Sequence, residues 1–133
     1  SQIEYSQPIN IIENISTNKI NKNSKILALT GIANPLPFLS YLKENFTLSQ
    51  HLEFEDHYDF KEKDLIKIKN EFDKIDSENK YIITTEKDIV KLKQFIDKSH
   101  ELADYLYYIK IRVKILPLFN CTFEEFLKNY NLF

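Results

Sequence analysis

The stretch "KILALTGIANPLPFLSYLKENF", Lys25 to Phe46, changes its hydrophobic period halfway along. Lys25 to Gly31 is a continuous apolar run that stops at the only glycine of the chain, the pattern of a strand buried on both faces in a parallel sheet. From Asn34 onward the period lengthens to that of a helix, with Phe38, Leu42 and Phe46 recurring every four residues on one stripe. Asn34 is placed to cap that helix and Pro35 to occupy its first position, where a missing N–H costs nothing. A buried strand running straight into an amphipathic helix is the repeating unit of an α/β domain.

Outward from this stretch the same alternation recurs. "SQHLEFE" predicts a second strand ending at Asp56-His57, and Lys61 to Ile75 a helix with Leu65, Ile68, Phe72 and Ile75 on one face. "KYIITT" is rich in β-branched residues and predicts a third strand. Thr85 and Asp88 then form a T-x-x-D capping box for a helix that turns Ile89, Leu92 and Ile96 inward. "LYYIKIRVKIL", Leu106 to Leu116, reads as one strand whose solvated face carries Tyr108, Lys110, Arg112 and Lys114. Thr122 is expected to cap a last helix in which Phe123, Phe126, Leu127 and Tyr130 share a face.

At the other end, "SQIEYSQPINII" alternates weakly and contains Pro8, as an edge or linker strand left over from something longer would, and polar loop follows to residue 24. The expected fold is a three-layer α/β/α sandwich around a mostly parallel sheet of four to five strands, spanning 25–133 and entered by a linker of residues 1–24. Right-handed crossovers place every strand-to-helix turn on one edge of such a sheet. "GIANP", "EDHYDF" and "TTEKD" therefore gather at the carboxyl edge, where ligands of open α/β sheets bind.

Composition narrows the functions available. With 133 residues, 43% hydrophobic and 29% charged, the chain suits one soluble domain with a proper core and is not generally disordered. A net charge of −2 with interleaved Lys and Asp/Glu gives no reason to expect nucleic acid. Cys121 is the only cysteine, so no internal disulfide can form. No apolar run approaches the roughly 18 residues that span a bilayer, and no signal peptide opens the chain. A P-loop needs two glycines with Lys and Ser/Thr, and a dinucleotide fingerprint needs about three near-glycine positions, so one glycine excludes both from this chain.

Each of the three turns has two readings. In "EDHYDF", His57 is a general base or the orienter of one, since an imidazole titrates near 6.5 in peptides; alternatively Asp56 caps backbone N–H groups in a plain turn and His57 is half-buried. In "TTEKD", Lys87 and the free N–H groups of a helix start form an anion site, or Thr85 and Asp88 cap the helix while Glu86 and Lys87 are merely solvated. In "GIANP", Gly31 allows a left-handed turn or admits a ligand close to the backbone. No metal site is expected, because His51, His100 and Cys121 lie in other elements and no H-x-x-x-H or C-x-x-C spacing exists. Nor does one glycine permit a G-x-S-x-G nucleophile elbow.

Taken in order and at their spacing, "LALTGIANPLPFLSYLK", "FEDHYDFKEKDL" and "IITTEKDIVKLK" resemble the C-terminal domain of the tetraacyldisaccharide 4'-kinases, the lipid A 4'-kinases of Gram-negative bacteria. That family shows G-I-A-N-P, then D-H-x-x-[FY], then T-E-K-D-x-x-K, and the resemblance covers about Lys25 to Lys93, more weakly the remainder. It implies a kinase dependent on ATP and Mg²⁺ that phosphorylates the 4'-hydroxyl of tetraacyldisaccharide 1-phosphate in lipid A biosynthesis, at the cytoplasmic face of the inner membrane. It also implies two α/β/α domains joined by a two-stranded linker, with the P-loop, the Mg²⁺-binding acids, the catalytic aspartate and the membrane contact in an N-terminal domain absent here.

On that resemblance the chain is an excised C-terminal domain. It is expected to be soluble, inactive alone and without its own ATP or Mg²⁺, its partners being that N-terminal domain and the lipid A precursor. The histidine of D-H faces the cleft in the family and works with the aspartate of the other domain, a role that transfers to His57, with Asp56 orienting it. Gly31, Asn34, Thr85, Glu86, Lys87 and Asp88 match the other two motifs and are expected to shape the cleft. The alternative is a stand-alone non-catalytic α/β binding or interaction domain.

Overall fold

The computed structural model describes residues 2–114, so the helix expected after Thr122, with Phe123, Phe126, Leu127 and Tyr130, lies outside the described residues. In chain order the elements are β1 (Gln2–Tyr5), β2 (Ile9–Asn10), β3 (Lys25–Thr30), α1 (Leu36–Asn45), β4 (Thr47–Glu53), α2 (Glu62–Asp73), β5 (Lys80–Thr85), α3 (Glu86–Leu92), β6 (Leu106–Ile109) and β7 (Ile111–Lys114). Five strands form the main sheet in the order β2-β6-β5-β3-β4. The pairs β3·β4, β3·β5 and β5·β6 are parallel and β2·β6 is antiparallel, so the sheet is mostly parallel as expected.

Alternation along each strand sorts the apolar residues onto two faces. Ile26, Ala28, Ile83, Tyr107 and Ile109 pack with Phe38, Leu39 and Leu42 of α1. Leu27, Leu29, Ile82, Leu106 and Tyr108 pack with Leu65, Ile68 and Phe72 of α2 and Ile89 and Leu92 of α3. Helices on both faces make the three-layer sandwich. Every residue of β3 after Lys25 is buried, which is why its sequence is a continuous apolar run rather than an alternating one.

Two expectations need correction. Leu106 to Leu116 is not one strand with a wet face: β6 ends at Ile109, and all four of its residues are buried between β2 and β5. Tyr108 is 6% exposed, with its hydroxyl on Asn14 Oδ1 at 3.3 Å, because neighbouring strands and helices cover both faces. After Lys110 the chain leaves the sheet, and β7 pairs antiparallel with β1 in a separate two-stranded ribbon. Arg112 is on that ribbon, and its guanidinium reaches Glu86 of α3 at 3.3 Å.

The second correction concerns the start of α1. The helix begins at Leu36 with Pro35 in the capping position and no side-chain capping bond of helical type. Asn34 is exposed, and its Oδ1 accepts only a long bond, 3.4 Å, from the Leu36 N–H. Pro35 and Pro37 at the entry already remove two donors, so little is left for a cap to satisfy. Among the described residues no helix is long and apolar enough to cross a membrane.

Candidate functional site

Strand order locates the site. From β3 the chain moves through α1 to β4 on one side, whereas β5 lies on the other side of β3 and continues through α3 to β6. The direction of winding reverses between β3 and β5, and a doubly wound sheet opens its ligand crevice at such a reversal, at the carboxyl ends of the strands. Gly31 follows β3 there and Thr85 ends β5 there. The loop after β4 joins them from the far side.

Hydrogen bonds tie the three turns together. The Gly31 N–H donates to Asp88 Oδ2 at 3.0 Å, and the Gly31 carbonyl accepts from the His57 N–H at 3.2 Å. One residue earlier the Thr30 carbonyl accepts from the Phe54 N–H at 2.7 Å, so the backbone after β4 stays laced to the end of β3. The Thr85 hydroxyl donates to Asp88 Oδ2 at 2.7 Å, while its oxygen accepts the Asp88 N–H at 3.3 Å. Thr85 is thus the helix cap expected of T-x-x-D. The Asp88 carboxylate, however, serves the neighbouring strand end as well as its own helix.

Gly31 does not adopt the left-handed backbone considered above, since the positive φ angles belong to Asn14 and His57. Its lack of a side chain serves close approach. A Cβ there would meet Asp88 Oδ1 at 2.9 Å and the Glu55 carbonyl at 3.3 Å. What nears the glycine is therefore the protein's own carboxylate. Asp88 is 3% exposed, and burial raises its pKa above the ordinary carboxylate value, opposed by the bonds from Thr85 and Gly31 and by the charges of Lys91 and Lys87.

His57 has φ of 61°, an uncommon conformation for a residue with a side chain. Its imidazole is 77% exposed and stands 3.5 Å from Asp56 Oδ2. The ring is not half-buried as the plain-turn reading required; the backbone is fixed and the ring projects outward. Lys87 is partly buried, which lowers its pKa, while the charges of Asp56 and Asp88 act to raise it. Lys87 and Asp56 thus share a local field at the mouth of the site. Glu86 is half-exposed and engaged with Arg112.

Of the expected residues, Gly31, Asp56, His57, Thr85, Lys87 and Asp88 come together, while Asn34 and Glu86 stand at the periphery. Two residues escaped the sequence reading. Lys91 donates to the Tyr58 carbonyl at 2.9 Å and lies 3.7 Å from Asp59; the final K of T-E-K-D-x-x-K was its signal. His51 Nε2 lies 2.7 Å from Thr30 Oγ1, next to Gly31 in sequence, and no local pattern marks it. Away from the site, His100 lines a groove of about 490 Å³ with Leu65, Ile66, Lys69 and Phe95, and none of Gly31, Asp56, His57, Thr85, Lys87 or Asp88 lines it.

The described residues do not fit a nucleotide triphosphate or its cation by themselves. The one glycine N–H at the crevice already holds a carboxylate. Among the described residues no three His, Cys, Asp or Glu side chains converge as metal ligands.

Residues 2–130 match the family described as Tetraacyldisaccharide-1-P 4'-kinase. The chain is 37% identical to a tetraacyldisaccharide 4'-kinase of Bacteroides thetaiotaomicron, over 81% of this chain and 28% of that protein. It is 43% identical to one of Flavobacterium johnsoniae, over 75% of this chain and 26% of that protein. The chain therefore spans less than a third of the length of these relatives. Its fold matches a crystal structure of LpxK from Aquifex aeolicus in complex with ATP, with a TM-score of 0.53 and 21% identity over 99% of this chain and 35% of that one.

Proposed function

The chain belongs to the tetraacyldisaccharide-1-P 4'-kinase family, and from that premise we propose that it forms the C-terminal α/β portion of an ATP-dependent kinase that phosphorylates the 4'-hydroxyl of tetraacyldisaccharide 1-phosphate. Residues 1–24 lead in from an N-terminal P-loop domain, with β1 and β7 as the connecting ribbon and β2 already part of the main sheet of the C-terminal α/β domain. That partner domain holds ATP and Mg²⁺, whose binding the residues here do not fit. The complete enzyme works on the lipid A precursor at the cytoplasmic face of the inner membrane of a Gram-negative bacterium.

What this chain contributes is on the acceptor side. Phosphoryl transfer depends mostly on positioning and charge, with a base to take the acceptor's proton. His57 presents an exposed imidazole on a fixed backbone at the carboxyl edge, where a hydroxyl and a carboxylate of the partner domain can reach it. His57 helps draw the proton from the 4'-hydroxyl, and Asp56 at 3.5 Å orients the ring. Gly31, Asn34, Thr85, Glu86, Lys87 and Asp88 shape the cleft around it. The observation that carries this reading is the convergence of the three motif turns, with the imidazole aimed away from the core.

The test is turnover of the full-length kinase. His57→Ala is expected to lower kcat by about 10² to 10⁴-fold, the usual contribution of a positioned acid-base group, with little change in fold stability. His100→Ala, in the distant groove, is expected to leave turnover at the wild-type level. Equal effects of both substitutions, or a destabilised His57→Ala whose turnover per folded molecule is unchanged, would return the loop to a structural role.

A further inference from the structure

We propose that α3 is a positioning element for the catalytic histidine: Asp88 and Lys91 hold the His57 loop in place from two sides without touching substrate. This rests on the reading of His57 just given. The first support is a relay. The Thr85 hydroxyl fixes the Asp88 carboxylate at 2.7 Å, the carboxylate fixes the Gly31 N–H at 3.0 Å, and the Gly31 carbonyl fixes the His57 N–H at 3.2 Å. The second is direct. Lys91, one turn further along α3, donates to the carbonyl of Tyr58, the residue after His57, at 2.9 Å.

These contacts do more than stabilise a helix start. Thr85 and the Asp88 N–H suffice to cap α3, so the carboxylate is free to serve the end of β3. Gly31 is the only residue type that lets the carboxylate come so close, as a Cβ would lie 2.9 Å from Asp88 Oδ1. The backbone at the end of the relay is the one that needs holding, since His57 sits at a φ of 61°. A left-handed residue with a side chain persists only where its surroundings over-determine it. Asp88 and Lys91 supply that determination, and the exposed ring inherits its direction from a buried scaffold.

The test compares Asp88→Ala, Asp88→Asn, Lys91→Met and His57→Ala in the full-length kinase, reading turnover and hydrogen exchange of peptides spanning 27–36 and 52–60. Asp88→Ala is expected to lower kcat by about 10- to 100-fold, as misplacement of a catalytic group does, with the KM for ATP largely unmoved. Both peptides exchange faster in that variant, while peptides of the core strands stay protected. Asp88→Asn keeps an oxygen for the Gly31 N–H and the Thr85 hydroxyl, so it is expected to exchange more slowly and turn over faster than Asp88→Ala. Lys91→Met is expected to loosen 52–60 alone and lower kcat less than Asp88→Ala.

Should Asp88→Ala fail to fold, Asp88→Asn and Lys91→Met decide the matter on the same criteria. Loss of turnover without faster exchange overturns the inference, and so does a folded Asp88→Asn as slow as the alanine variant. Wild-type turnover in Asp88→Ala and Lys91→Met beside a crippled His57→Ala overturns this inference alone. Wild-type turnover in His57→Ala overturns the site reading with it.

Discussion

At the scale of single residues, the site combines an exposed ring with buried supports. His57 and Gly31 carry the roles that local intuition would exchange: the histidine takes the left-handed backbone, and the glycine, at an ordinary φ, leaves room for a carboxylate. Another, partly buried contact makes stability sensitive to acid. His51 lies 2.7 Å from Thr30 Oγ1, and burial lowers its pKa below the ordinary imidazole value, opposed by the nearby charge of Glu53. The fold therefore favours the neutral ring. Its contribution is present above the unfolded pKa of about 6.5 and is lost as pH falls through the lowered folded value. Urea midpoints of wild type and His51→Gln, measured through this range, are expected to converge differently on acidification: the variant keeps a partner for Thr30 but loses the proton-linked slope. Asp88, with its pKa raised, has the opposite sign, stabilising below about 3.8 and fading as pH rises through its folded value. It is common to both proteins, so the difference isolates His51. Parallel curves for the two would rule out His51 as the source.

At the scale of elements, the parts read most easily from sequence are those whose burial is symmetrical or strictly one-sided. The continuous apolar run of β3, the stripe Leu65, Ile68 and Phe72 of α2 and the β-branched β5 stand where their patterns place them, while Ile75, expected on the same helix, is buried just past its end at Asp73. Leu106 to Leu116 failed because a period of two survives the handover from sheet to ribbon, and both the strands beside β6 and the helices over its two faces come from distant parts of the chain. The capping of α1 shifted because two prolines leave Asn34 few donors to satisfy. Site residues at the carboxyl edge were legible through the handedness of crossovers, whereas the Thr30–His51 and Lys91–Tyr58 contacts join residues 21 and 33 apart and leave no local trace. The two readings of β6 differ measurably. Tyr108→Lys on a wet face would be neutral; in a strand covered on both sides it is expected to cost about 2 kcal/mol or more, as an unpaired charge enters the core. Chemical denaturation of that variant beside Arg112→Lys on the ribbon checks it, and equal stability of the two would restore the one-strand reading.

At the scale of the whole molecule, the sheet gathers the three motif turns at one edge. Right-handed crossovers bring Gly31, His57 and Asp88 to one end, and the reversal between β3 and β5 opens the crevice there. In nucleotide-binding relatives of this architecture, a glycine-rich turn at that crevice offers backbone N–H groups to phosphate. Here one glycine is present, and its N–H is already held by the buried Asp88 side chain instead of being offered to a phosphate. Lys87 is the cation nearest in role, yet its charge already faces Asp56 and Asp88. The isolated chain is therefore expected neither to hydrolyse ATP nor to bind it tightly. Titration calorimetry with ATP and Mg²⁺ should give no saturable heat at micromolar concentrations, whereas the full-length kinase should bind. Asp88→Asn, which leaves a single glycine, should not create binding in the isolated chain. A micromolar Kd for the isolated wild-type chain would mean that the carboxyl edge holds nucleotide without a phosphate-cradling loop, and the division of labour between the two domains would have to be redrawn.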